Sequence, residues 1–313
     1  MPKPRLLVMS DAIEKLVRPG ADEFEIVRLE GAGDRDAFLA ANGAGIGAAL
    51  VSGMERFDAA RFDLLPDLGL IATVAAGMSG IDLDTAKARG VAVINAGDLN
   101  AGDVADFAVT LMLAQTREVI ANDRYVREDR WPAARRRPPV SVSAQKVGIV
   151  GLGHIGLAIA RRLEPFGCEI AWWGPRPKPD AAWPRIESLE ELASWSSVLM
   201  VAARGDDSTR GLITADVLAA LGPDGLIVNV SRGFVIDEPA MIAALQDGRL
   251  GAAALDVFEH EPINGSDWAG VPNVLMAPHV AGATQQAFAR VFAGALDNLR
   301  RHFAGEPLLR RVV

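Results

Sequence analysis

The sequence predicts an α/β protein of two doubly wound, parallel-sheet domains. Short continuous apolar runs alternate with helical patterns along almost the whole chain, as expected for strands covered on both faces. The length, 313 residues, suits about two domains. A stretch broken by prolines and arginines near the middle separates two such alternating series.

The first series has strand-like runs at 6–9, 24–29, 48–51, 70–74 and 91–94, with helical or polar segments such as 59–65 and 85–89 between them. Val104, Phe107, Ala108, Leu111 and Gln115 then fall at helical spacing. Residues 124–139 break that pattern with Trp131-Pro132, Arg135-Arg136-Arg137 and Pro138-Pro139, and read as a linker. The arginine run suits a solvated loop better than an anion site. From Lys146 a second series follows, with strands at 147–150, 169–173, 198–201, 226–230, 252–257 and 274–277. A final helix at 284–303 is expected to pack back onto the first domain, which otherwise stops one element short.

Half the residues are apolar and 23% are charged, a folded and not a disordered composition. The net charge of −8 argues against nucleic acid or an anionic membrane as partner. The single cysteine, Cys168, allows no disulfide within the chain and reads as an inert core thiol. The apolar run at 6–9 is too short for a signal peptide, and no run of 18 apolar residues occurs. The expectation is a soluble cytoplasmic protein.

Gly151-Leu152-Gly153-His154-Ile155-Gly156 is weak as a bare pattern, but the strand Val147 to Val150 precedes it and an amphipathic helix follows. Gly151 permits the tight turn, Gly153 a close approach to a pyrophosphate, and Gly156 close helix–strand packing. His154 and Ile155 open the helix, whose free N–H groups favour phosphate. A site that prefers NAD places an acid at the end of the next strand, about 20 residues on. Here that position is Gly174, followed by Arg176 and Lys178. This pattern favours NADP(H), with Arg176 as the main contact. Lys178, past Pro177, is expected to point to solvent and contribute less.

Of the four histidines, His154 lies in the glycine loop, His260 sits between two glutamates, and His302 reads as a surface residue of the last helix. His279 differs because it follows an apolar run and Pro278, at a strand end where open α/β sheets build their sites. Asn229-Val230-Ser231-Arg232-Gly233 sets an arginine at another strand end, and Asp256 to Pro262 sets carboxylates at a third. These parts suit reduction of a 2-oxo acid. Arginine pairs bidentately with the substrate carboxylate, histidine protonates the ketone oxygen as hydride reaches carbon, and a carboxylate holds the imidazole. A metal reading of His260, Glu261 and His279 is poor, because Pro262 rules out a helical ligand pair and no further ligand spacing is visible.

Together with Gly77-Met78-Ser79-Gly80-Ile81-Asp82, Asp103-Val104-Ala105-Asp106 and Pro278-His279-Val280-Ala281-Gly282-Ala283-Thr284, these segments resemble the D-isomer-specific 2-hydroxyacid dehydrogenase family. Within it the chain looks like the NADPH-linked glyoxylate/hydroxypyruvate reductases. The resemblance implies two Rossmann-like domains, 1–98 plus 287–313 for substrate and 99–286 for the dinucleotide, with the active site in the cleft between them. It implies Arg232, Glu261 and His279 as the catalytic set, with Glu261 chosen because it directly precedes the proline. It implies Ser79 and Gly80 backbone amides on the substrate carboxylate, Val104 and Asp256 beside the cofactor, no metal, and a homodimer. The alternatives are a reductase of larger sugar acids such as 2-ketogluconate, a phosphoglycerate dehydrogenase, which the lack of an acid at Gly174 disfavours, and a non-catalytic cofactor-sensing protein on the same scaffold.

Overall fold

A computed structural model of the chain describes residues 2–10, 13, 18–53, 55–131 and 138–313. The run Arg135-Arg136-Arg137 lies outside the described residues. The chain divides into two compact units, Met1–Asn100 with Thr284–Val313, and Ala101–Ala283.

The first unit holds strands β1 (Arg5–Val8), β2 (Glu25–Arg28), β3 (Ile46–Val51), β4 (Leu70–Thr73) and β5 (Ala92–Ile94). They form one parallel sheet in the order β2-β1-β3-β4-β5. Successive side chains alternate between its faces. Leu7, Ala49, Val51, Ile71 and Val93 pack on one side with Phe57 and Phe62. Leu6, Ala48, Leu50, Leu70 and Ala72 pack on the other with Phe292, Ala295 and Leu299 of the last helix, Gln285–Ala304. The C-terminal helix thus closes a face of the first sheet, which is why a series interrupted at residue 100 has a complete core. His302 is not a surface residue. Its half-buried ring faces Gly69, and burial pushes its pKa down.

The second unit holds β6 (Lys146–Val150), β7 (Glu169–Trp173), β8 (Val198–Val201), β9 (Leu226–Asn229), β10 (Ala252–Leu255) and β11 (Val274–Met276). All pairings are parallel, in the order β7-β6-β8-β9-β10-β11. The strand order reverses between β6 and β8, and such switch points leave a crevice at the carboxyl ends of the strands. The helix Ala101–Thr116 covers one face through Ala108, Leu111 and Met112, packed with Ile149, Ile159 and Val228. The expected linker at 124–139 starts late: Val119–Arg127 is a helix. Its apolar residues Val119, Ile120 and Val126 are exposed, so no inward-facing period marks it in the sequence.

Candidate active site

The glycine turn sits at the switch point. Gly151 has φ +91°, and a Cβ there would lie 2.7 Å from the Cα of Ala203 at the end of β8. A Cβ on Gly156 would lie 2.1 Å from the carbonyl oxygen of Gly151. The helix His154–Leu163 therefore packs against the turn as only glycine allows. Gly153 precedes this helix without a side-chain cap, and nothing stands within 4 Å of where its Cβ would be. An open backbone cradle at a helix N-terminus fits a pyrophosphate, and His154 lies exposed at its first position with Ile155 half-buried behind it. Val104 is 6% exposed and packs in the same core as Leu152 and Ala281.

The ends of β9, β10 and β11 assemble the chemistry. Asn229, the last residue of β9, accepts from Ser231 N–H at 3.0 Å and donates to the Arg232 carbonyl at 3.1 Å, which shapes the turn. Arg232 is partly buried, and Nη1 donates to the Ser231 carbonyl at 2.7 Å. Burial lowers the guanidinium's pKa, and the Glu261 carboxylate opposes that shift by its charge. Two glycines flank the arginine. A Cβ on Gly205 would meet Arg232 Cγ at 2.3 Å, and one on Gly233 would meet the Phe258 carbonyl carbon at 1.8 Å.

His279 Nδ1 lies 2.6 Å from Glu261 Oε2. The other oxygen, Oε1, accepts Phe258 N–H at 2.9 Å, so the carboxylate is held before it holds the ring. His279 has φ +54°, a conformation rare for non-glycine residues and common at functional sites. Asp256 over-determines it. The Asp256 carbonyl accepts His279 N–H at 2.9 Å, and its two carboxylate oxygens accept Val280 N–H at 2.8 Å and Ala281 N–H at 2.9 Å. Asp256 is buried, and desolvation raises its carboxyl pKa. Glu238 adds one more tie, accepting Glu259 N–H at 3.0 Å.

Arg232, Glu261, His279 and Asp256 all belong to the second unit, and the structure brings them to adjacent strand ends. Ser79 and Gly80 lie in the first unit, on the loop after β4. Gly80 N–H already donates to the Gly53 carbonyl at 3.0 Å, so its amide is committed within the loop and not open to a carboxylate. Ser79 is exposed. Asp82 of the same motif caps the helix Leu83–Ala88 through Thr85 N–H at 2.9 Å.

Beyond the end of β7, Lys178 is exposed, as expected, but its side chain turns back toward the glycine turn. Its Nζ donates to the Leu152 carbonyl of the glycine turn at 2.6 Å. Arg185, which carries no signal in the sequence, donates Nε and Nη2 to the Gly174 carbonyl at 3.2 and 3.1 Å. Arg176 is exposed between these two ties. Among the described residues no three His, Cys, Asp or Glu side chains gather into a metal-holding group, and no helix is long and apolar enough to cross a membrane.

Two parallel-sheet units, with a glycine cradle at a switch point and a histidine–carboxylate pair at strand ends of the same sheet, define a nicotinamide-dependent dehydrogenase. The profile of the D-isomer specific 2-hydroxyacid dehydrogenase, NAD binding domain, matches residues 109–281, and the chain belongs to this family. It is 39% identical over 256 residues to a glyoxylate/hydroxypyruvate reductase of Arabidopsis thaliana, covering 82% of each chain. It is 38% identical over 251 residues to 2-ketogluconate reductase of Gluconobacter oxydans, covering 80% of this chain and 81% of that one. Its fold is similar to that of the NADPH-dependent glyoxylate/hydroxypyruvate reductase of Sinorhizobium meliloti, solved with NADP and malonate. The TM-score there is 0.90 at 36% identity, over 100% of this chain and 97% of that one.

Proposed function

We propose that this protein reduces small 2-oxo acids, glyoxylate and hydroxypyruvate foremost, with NADPH as the hydride donor. The 2.6 Å contact between His279 and Glu261, on strand ends next to the one that carries Arg232, carries the reading. The bound nicotinamide supplies the hydride. Arg232 holds the substrate carboxylate through its guanidinium fork. Glu261 takes Nδ1–H, which leaves Nε2 to address the ketone oxygen. As hydride adds to the carbonyl carbon, the proton on Nε2 passes to the oxygen, giving the 2-hydroxy acid and a neutral imidazole with its proton on Nδ1. Asp256, whose oxygens each keep a second lone pair, accepts from the nicotinamide carboxamide, and Val104 contacts the cofactor. Ser79 is assigned to the substrate carboxylate by family resemblance. Gly174 and Arg176 favour the 2′-phosphate, because an acid at 174 would repel it.

The test is oxidation of NADPH and NADH with a panel of 2-oxo acids. Turnover of glyoxylate and hydroxypyruvate with NADPH supports the reading. Equal turnover of aldehydes that lack a carboxylate refutes the role of Arg232, and equal use of both cofactors refutes the NADPH preference. The likeness to a 2-ketogluconate reductase favours one second reading, a preference for larger sugar acids, and 2-ketogluconate in the panel separates the two.

The same reading includes a homodimer. The helix Val119–Arg127 buries none of its nine residues, and a helix that short does not hold itself in water. Its exposed Val119, Ile120 and Val126 are set among Asp123, Arg124, Arg127 and Glu128. Apolar residues among charges of both signs suit self-complementary contact with a second copy.

A further inference from the structure

We propose that Lys178 and Arg185 set cofactor specificity without touching the cofactor's reacting end, by holding Gly174–Lys178 as a preformed strap that presents Arg176. This inference rests on the NADPH reading above and extends it to two residues.

The strap is fixed at both ends. At its start the Gly174 carbonyl accepts two bonds from one guanidinium, Arg185 Nε at 3.2 Å and Nη2 at 3.1 Å. The remaining arm of Arg185 pairs with Glu187. The Arg185 side chain is 19% exposed and the Glu187 side chain 81%, so the clamp lies inside and its counter-charge outside. The backbone of Arg185 is itself held. Residues 183–186 run along the edge of β7, with Trp172 N–H donating to Pro184 at 3.0 Å and Ile186 N–H to Trp172 at 2.9 Å. The Trp172 indole N–H adds a bond to the Trp183 carbonyl at 3.0 Å. At the far end, Lys178 Nζ donates to the Leu152 carbonyl at 2.6 Å, inside the glycine turn. Between the ties, Pro175 and Pro177 fix φ on either side of Arg176.

Two consequences follow. A stiff segment tied twice loses little entropy when a phosphate meets Arg176, so binding energy is not spent on ordering it. Lys178 also anchors the segment that faces the 2′-phosphate on the glycine turn, so the turn fixes where Arg176 stands. Lys178 and Arg185 are then positioning residues, and their value lies in geometry and not in charge alone.

Of two variants, the first separates these. Arg185→Lys keeps the charge but cannot give two bonds to one carbonyl. Lys178→Met keeps the length and removes the donor. Dissociation constants for NADPH, NADH, 2′,5′-ADP and 5′-ADP would be measured by calorimetry on wild type and both variants, with no turnover involved. Each variant is expected to weaken NADPH and 2′,5′-ADP about 10-fold, the weight of one hydrogen bond to a charged group. NADH and 5′-ADP should stay within about 2-fold, and melting temperatures should be nearly unchanged. Unchanged affinity for the 2′-phosphorylated ligands in both variants overturns the proposal, as does equal weakening of all four ligands. If wild type itself binds NADPH and NADH alike, the NADPH reading falls with it. If wild type discriminates and the variants discriminate equally, only the strap falls.

Discussion

Glu261 grips the ring of His279 from one side only, with Oε2 2.6 Å from Nδ1 while Oε1 is spent on Phe258 N–H. The ring orientation therefore depends on a carboxylate that is already tied to the backbone. Glu261→Gln offers Nδ1–H one acceptor only in one amide orientation, and the other orientation turns a donor toward it. The variant should lose about 10- to 100-fold in kcat with KM for the 2-oxo acid little changed, because substrate binding is left to Arg232. Steady-state kinetics check the split, and a KM effect without a kcat effect would place Glu261 in binding.

Arg232 is held by shape as well as by bonds. Gly205→Ala would set a methyl 2.3 Å from Arg232 Cγ, a flexible stem that can move. The expected result is a raised KM for 2-oxo acids, about 10-fold, with NADPH affinity retained. Gly233→Ala instead meets the backbone of Phe258 at 1.8 Å, where no rotamer relieves the clash. That variant should lose about 3 kcal/mol of stability, seen as a lower denaturant midpoint. A Gly205→Ala enzyme with wild-type KM would show that the arginine stem is not constrained there.

The sequence made the alternating strands, the glycine turn and the three strand-end motifs legible, because each is a local pattern of continuous apolar runs followed by distinctive polar residues. What it hid is contact between loops. Arg185 reaches Gly174 only because residues 183–186 lie along β7, and no period announces that edge. Gly205 matters only where its loop meets Arg232. Lys178 is exposed, as its place past Pro177 suggests, but its bond to Leu152, 26 residues away, leaves no local mark in the sequence. His302 looked like a surface residue because Arg300 and Arg301 precede it, although its ring turns inward toward Gly69.

Asp256 gives a pH test. Burial raises its carboxyl pKa in the folded chain, so ionising it opposes folding. Its contribution to stability is fully present below the ordinary aspartate value and is lost as pH rises through the raised one. Asp256→Asn cannot ionise and lacks one of the two carboxylate acceptors for Val280 and Ala281 N–H. The wild-type advantage in melting temperature should therefore be larger near about pH 4 than near about pH 7. An advantage that grows with pH would mean that the two N–H bonds outweigh burial.

The surface around Val119–Arg127 predicts an oligomer that a single charge disrupts. Val126→Asp should shift the protein from dimer to monomer in sedimentation velocity, while circular dichroism stays native. A wild type that sediments as a monomer contradicts the homodimer.

The role of His279 in moving the proton is tested most directly by His279→Ala, with NADPH oxidation in the presence of glyoxylate and NADPH binding measured on the same preparation. The account predicts kcat reduced by at least about 100-fold with cofactor affinity unchanged. A variant that binds NADPH normally and turns over within a few-fold of wild type would contradict it.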